Sequence, residues 1–208
     1  MKEIVQSYLV SKKWKTRLSG RFPSLIVEDP LAMQNIKYNS KVADEERSKF
    51  VSWVNHIVDE HQGPYINEFK VVFDLDNSFQ YDIDKWVDYA IAKRAKKLVL
   101  HLKPPGAYYQ QEQKRYTFPD EYCKATTFGF RNAITSLSLN DVNITLEMVE
   151  NLIKNCLFLE YLCIEEAPYL SCIRSSVSSS SLKHLQVSRC NKMELIDISV
   201  PKLLSFAY

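Results

Sequence analysis

Only four glycines are spread through the 208 residues. That is too few to line a phosphate-cradling loop or to turn the corners of a small β-barrel. Neither G-x-G-x-x-G nor G-x-x-x-x-G-K-[S/T] occurs, so the nucleotide-binding fingerprints are absent. No apolar run reaches the ~20 residues that cross a bilayer. Met1 leads into an amphipathic, Lys-rich segment rather than an apolar leader, as expected of a chain kept inside the cell, in cytoplasm or nucleus, with no membrane partner. An excess of one charge is missing too. With 27 Lys and Arg against 25 Asp and Glu, the formal charge is +2, which gives no general pull toward nucleic acid. The five cysteines are an odd number without paired spacing, as expected of free, buried thiols in a reducing compartment.

What is present is ordinary for a globular chain: 46% hydrophobic and 25% charged residues, in a chain whose 208 residues are enough to bury roughly 70% of the unfolded surface. Along the chain the hydrophobic period keeps switching. From Glu3 to Ser19 it is roughly helical, with Lys12, Lys13, Lys15 and Arg17 near the end. From Pro30 to Ala43 no period shows, and a loop is expected. Phe50, Trp53, Val54, Ile57, Val58 and His61 predict a helix with Asp44 as its cap, stopped by Gly63-Pro64. Phe69, Val71 and Phe73 alternate as in a strand, Ile83 to Ile91 return to helical spacing, and Leu98, Leu100 and Leu102 alternate again. Lys103–Arg115 and the serine run Ser175–Ser181 are expected to be surface loops.

Chemistry-bearing constellations fail one by one. The acids Asp74, Asp76, Asp82 and Asp84 suggest a calcium loop, but an EF-hand starting at Asp74 needs Gly and Glu where Phe79 and Lys85 stand. Asp74 and Asp76 are expected at a strand end, with Asp82 or Asp84 capping the next helix. Cys156, Cys163 and Cys172 lack the zinc spacing, and their alternation with leucines speaks for burial. His184 and Cys190 are near in sequence but no oxyanion motif accompanies them. The expectation is a non-enzyme with no metal and no cofactor.

A spacing L-x-x-L-x-L does recur. Ile134-Leu137-Leu139, Leu159-Leu162-Ile164, Leu182-Leu185-Val187, Met193-Ile196-Ile198 and Leu203-Phe206-Tyr208 fit it, with looser matches at Ile66-Phe69-Val71 and Ala95-Leu98-Leu100. Successive starts lie 29, 39, 25, 23, 11 and 10 residues apart; 25 and 23 fall within the ~20–29 of leucine-rich repeats. The 11 and 10 make one repeat, so Met193–Ile198 is expected to be a strand on the back. Leu146, Val149, Leu152, Ile153 and Cys156 predict a helix capped by Thr145. The Asn/Cys position three residues past the last leucine is filled only by Cys190; Asp74, Lys103, Val142 and Ala167 stand elsewhere.

The run Lys2–Leu18 (KEIVQSYLVSKKWKTRL) resembles the second half of a plant F-box, through Leu9, Ser11, Lys12, Lys13, Trp14 and Lys15. FVSWVNHIVDEHQGP, INEFKVVFDLDNS and DIDKWVDYAIAKRAKKLVLHL resemble the stretch that follows it, and FPDEY, ITSLSLNDVNIT, ENLIKNCLFLEYLCI and SLKHLQVSRCNKMELIDISVPKLLSFAY resemble the repeats. In that order they are similar to plant F-box/leucine-rich-repeat proteins of the FBD type. The resemblance implies a right-handed leucine-rich-repeat solenoid, an α/β fold whose curved parallel sheet carries helices on its convex side, behind a short helical F-box remnant. It divides the chain into a partial F-box over 1–22, a linker and helix over 23–62, and repeats over 63–208. Both the F-box and the array are expected to be truncated, since a Leu-Pro helix should precede Lys2 and a capping repeat should follow Tyr208. The implied function is substrate recognition for an SCF-type cullin-RING ubiquitin ligase, with an unidentified protein as substrate; the alternative is a repeat scaffold or decoy without the ligase. Tyr8, Leu9 and Trp14 would touch a Skp-type adaptor. The concave face would present Ser136, Ser138, Tyr161, Cys163, His184 and Gln186 to the target.

Overall fold

The computed structural model describes residues 24–103, 115–124, 128–178 and 180–208. The predicted N-terminal helix with Tyr8, Leu9 and Trp14, and most of the loop after Lys103, lie outside the described residues.

Seven strands form one parallel sheet: β1 (Ser24–Glu28), β2 (Glu68–Val72), β3 (Lys97–His101), β4 (Ser136–Asn140), β5 (Tyr161–Glu165), β7 (His184–Ser188) and β9 (Ser205–Ala207). Their spatial order follows their order in the sequence, so each repeat adds one strand beside the last. A parallel neighbour needs a crossover, and the linking segments supply it as α1 (Pro30–Tyr38), α2 (Ala43–Glu60), α3 (Gln80–Ala92), α4 (Phe128–Ala133) and α5 (Leu146–Asn155). After α5 the back layer changes character. There β6 (Cys172–Ser176) and β8 (Leu195–Ser199) pair in parallel as a separate two-stranded sheet. Met193–Ile198 thus serves as back strand, and the last main-sheet step, from Leu185 to Phe206, is 21 residues.

The repeat spacing works because a strand turns alternate side chains to opposite faces. Leu25, Phe69, Leu98, Leu137, Leu162, Leu185 and Phe206 pair in one unbroken row, and Val27, Val71, Leu100, Leu139, Ile164 and Val187 in the next. All but Phe206 are buried. Leading residues Ile66, Ala95, Ile134, Leu159 and Leu182 add a third buried row. Each carbonyl just before a strand serves the next repeat: Asn67 O accepts from Lys96 N and Lys97 N, Lys96 O from Thr135 N and Ser136 N, and Thr135 O from Glu160 N and Tyr161 N.

The side-chain ladder that the loops lack is replaced by backbone. Beyond the strands, Leu102 N donates to Asn140 O, Asp141 N to Glu165 O and Glu166 N to Ser188 O. Asp141, Glu166 and Arg189, each two residues past the last core residue of its strand, share a left-handed backbone with φ of 62°, 54° and 55°. Three successive repeats thus turn in the same way, at a small conformational cost to each non-glycine residue.

The segment from Pro30 is a helix rather than a loop. Asp29 caps it by accepting from Ala32 N, Pro30 sits in its first turn, and only Ala32 and Ile36 are buried. With two anchors in nine residues, no period can show. Asp44 is not a cap either: a 3-10 turn over Ser40–Val42 runs into α2 and places Asp44 in the first helical turn, where it pairs with Arg47. Neither Asp82 nor Asp84 caps α3; Asp76 caps a 3-10 turn ahead of it by accepting from Ser78 N. The serine run is only partly loop, since Ser175 and Ser176 belong to β6.

Thr145 does cap α5, its hydroxyl accepting from Met148 N, while Met148, Val149, Leu152 and Ile153 face the core. Thr145→Ala is expected to cost about 1 kcal/mol, read as a lower urea midpoint, with Thr145→Ser recovering most of it.

Candidate functional site: the open face of the sheet

The side chains between the core rows all turn to the other face. Paired strand by strand, one row runs Ser24, Glu68, Lys97, Ser136, Tyr161, His184, Ser205 and the next Ile26, Lys70, Val99, Ser138, Cys163, Gln186, Ala207. A third runs Glu28, Val72, His101, Asn140, Glu165, Ser188. Val99 and Cys163 are buried among their neighbours yet lie outside the hydrophobic core cluster, as residues of the opposite face should. The six residues expected on the concave surface are therefore adjacent, Ser136 beside Tyr161 beside His184 and Ser138 beside Cys163 beside Gln186.

Hydrogen bonds tie this face together across strands. His101 Nε2 lies 3.1 Å from Ser138 Oγ, Tyr161 OH donates to Gln186 Oε1 at 3.2 Å, and His184 Nδ1 lies 2.7 Å from Ser205 Oγ. Glu165 collects Asn140, Gln186, Ser188 and Arg189 as donors, so its carboxylate is already satisfied. At the other end Lys97 pairs with Glu68 at 2.9 Å and Lys70 with Glu28 at 4.0 Å. A shallow depression of about 420 Å³ opens between β2 and β5, lined by Glu68, Lys70, Lys97, Val99, His101, Ser136, Ser138 and Tyr161. Burial, helped by Lys70 and Lys97, holds His101 below its ordinary pKa even though Glu165 pulls the other way. Burial likewise pushes the Cys163 thiol up, so it is a poor nucleophile at neutral pH.

Glu28, Lys70, Val72, Lys97, Val99 and His101 were missing from the sequence-derived face. The signal was available: alternation within Ile66-Phe69-Val71 and Ala95-Leu98-Leu100 puts Lys70 and Val99 outward, just as it does Ser138 and Cys163.

The four acids of the apparent calcium loop are dispersed among protein donors. Asp74 takes Arg47 at 2.9 Å, Asp82 takes Asn55 Nδ2 at 2.7 Å, and Asp84 takes Tyr116 OH at 2.8 Å. Asp76 takes Ser78 N at 3.0 Å. No group of three or more His, Cys, Asp or Glu side chains among the described residues is placed to hold a metal ion, and no described helix is long and apolar enough to cross a membrane.

A seven-stranded parallel sheet with L-x-x-L-x-L in register is what a leucine-rich repeat builds, and the family comparison agrees. The family model described as At1g61320/AtMIF1, LRR domain, matches residues 57–208. The chain belongs to that plant leucine-rich-repeat family. No curated protein and no solved structure matches the chain. The leucine-rich-repeat match begins within α2 and runs through β9, so it covers every strand of the open face except β1.

Proposed function

We propose that this chain is the target-recognition component of an SCF-type cullin-RING ubiquitin ligase, with its repeats holding a partner protein on the open face. The observation that carries the protein-binding part is that face itself. Six of its strands belong to the leucine-rich-repeat match, the described helices bury their apolar residues in the core on the opposite side, and its side chains are held in place by cross-strand hydrogen bonds. Tyr161 and His184, with ring centroids 6.4 Å apart, supply the amphipathic aromatic contacts that dominate protein interfaces. In this reading the sheet is the inner wall of a right-handed solenoid, the hand that parallel crossovers almost always take.

The ligase part rests on the resemblance of Lys2–Leu18 to an F-box, with Tyr8, Leu9 and Trp14 set against a Skp-type adaptor. The chain itself performs no chemistry in this role, in cytoplasm or nucleus; it raises the effective concentration of the target at the ligase. Co-precipitation with a purified Skp-type adaptor tests it. Wild-type chain should retain the adaptor, Leu9→Ala/Trp14→Ala should release it, and Tyr161→Ala/His184→Ala should leave it bound. An adaptor that wild-type chain does not retain contradicts the ligase assignment and leaves a repeat scaffold or decoy.

A further inference from the structure

We infer that the open face binds an uncharged, extended segment of its partner, laid across β4–β9 with an aromatic side chain on the ridge made by Tyr161 and His184. This rests on the reading of that face as the partner-binding surface and names the chemistry of the partner. The argument is charge complementarity of a neutral kind. The first two outward rows of β4, β5, β7 and β9 hold two side chains per strand, eight in all, and none is a carboxylate, an ammonium or a guanidinium. The charges that border this strip are closed on one another. Lys97 meets Glu68 at 2.9 Å on the β3 side, Lys183 meets Glu160 at 2.7 Å where β5 and β7 begin, and Arg189 meets Glu165 at 3.3 Å where they end. Glu165 is further occupied by Asn140, Gln186 and Ser188. A charged partner residue seated on the strip would lose water and find no counter-charge.

Polar atoms of the strip are bonded from within. Tyr161 OH donates to Gln186 Oε1, Gln186 Nε2 donates to Glu165 Oε1, and His184 Nδ1 lies 2.7 Å from Ser205 Oγ. What they leave toward a partner is ring face and alkyl stem, held in place before binding, which spares the cost of ordering them. Short side chains flank the two rings in their row, Ser136 on β4 and Ser205 on β9, so Tyr161 and His184 stand above it. Their centroids are 6.4 Å apart with the planes at 44°. One aromatic side chain of the partner can reach both at the usual ring spacing of about 4.5–7 Å. From β4 to β9 the three strand spacings make about 14 Å, room for four or five residues of extended chain at ~3.3 Å each.

NMR titration of nitrogen-15-labelled chain with three end-blocked pentapeptides tests this. Each has a central phenylalanine, flanked on both sides by glutamines, by glutamates or by lysines. The glutamine peptide should shift the amide signals of Tyr161, Cys163 and Gln186 saturably, with an affinity that changes less than about twofold between about 50 and about 300 mM salt. The glutamate and lysine peptides should bind there at least about tenfold more weakly. Tyr161→Ala/His184→Ala should weaken the glutamine peptide at least about fivefold, with amide signals away from the open face unmoved, which excludes a folding defect. Tyr161→Phe keeps the ring and should bind within about twofold of wild type. Any of three results overturns the inference: no saturable shift on β4–β9 in wild type, a charged peptide bound there as tightly as the glutamine peptide, or no loss in the Tyr161→Ala/His184→Ala variant. Adaptor retention is scored separately. A charged peptide preferred on this face with the adaptor retained removes this inference alone; glutamine-peptide binding without the adaptor removes the ligase reading alone.

Discussion

Leu162→Asp should leave no folded protein. Leu162 is wholly buried, with Leu137 and Leu185 as its partners on either side. Truncating such a leucine to alanine already costs about 2–5 kcal/mol. Asp adds a carboxylate with no cation or donor in a row of aliphatic side chains, several kcal/mol more after relaxation. The total rivals the whole stability of a domain, about 5–15 kcal/mol. Leu139→Asp, in the second core row, should behave alike. Ser136→Asp begins the same strand as Leu139 but points to the open face beside Lys97, and should change stability by no more than about 0.5 kcal/mol. Soluble yield and thermal melts followed by circular dichroism separate the cases. A Leu162→Asp protein melting near wild type would place that strand somewhere other than over a core.

Arg47→Ala is expected to destabilise by about 2–4 kcal/mol near neutral pH. Arg47 reaches from α2 to the end of β2, donating to the Asp74 carboxylate at 2.9 Å and to its carbonyl at 3.2 Å. Asp74 is almost wholly buried, and burial, with Asp76 and Asp141 nearby, raises its pKa above 3.8 even though Arg47 opposes the shift. Without Arg47 that shift must grow. A carboxyl whose folded pKa exceeds its unfolded one binds more protons when folded. Stability therefore rises as pH falls through the folded value and levels off below the unfolded one. The Arg47→Ala deficit should shrink on acidification from pH 7 toward pH 5, and Asp74→Asn in the same chain should remove that dependence. Urea titrations at the two pH values measure it. An unchanged deficit would mean that Asp74 does not depend on Arg47.

How far the fold was legible depended on how regular each repeat is. Leu137-Leu139 and Leu185-Val187 stand between polar neighbours and Leu162-Ile164 repeats their spacing, so β4, β5 and β7 and the six residues facing outward from them could be read directly. In β1, Leu25 and Val27 flank Ile26, an apolar residue on the open face. The alternation disappears there and the strand is hidden. At Ala95 a small residue fills the leading-leucine place, which weakened the match just where the lysine-bearing half of the face begins. The back layer was legible where it is a long helix, as in α5 with its threonine cap, and through the halved spacing at Met193. The nine-residue α1 announced itself only through Asp29-Pro30 at its start, a cap followed by a first-turn proline. Networks such as Arg47 with Asp74 join residues 27 apart in sequence, and no local pattern encodes them.

The central claim is that successive repeats pair in parallel, side by side and in register, so that one face is core and the other free. Amide-to-α-proton NOEs between β4, β5 and β7 in isotope-labelled protein test it most directly. Parallel contacts linking Leu137 with Leu162 and Leu162 with Leu185 are predicted. Close α-proton pairs of antiparallel strands, or helical shifts over Tyr161–Glu165, would contradict it.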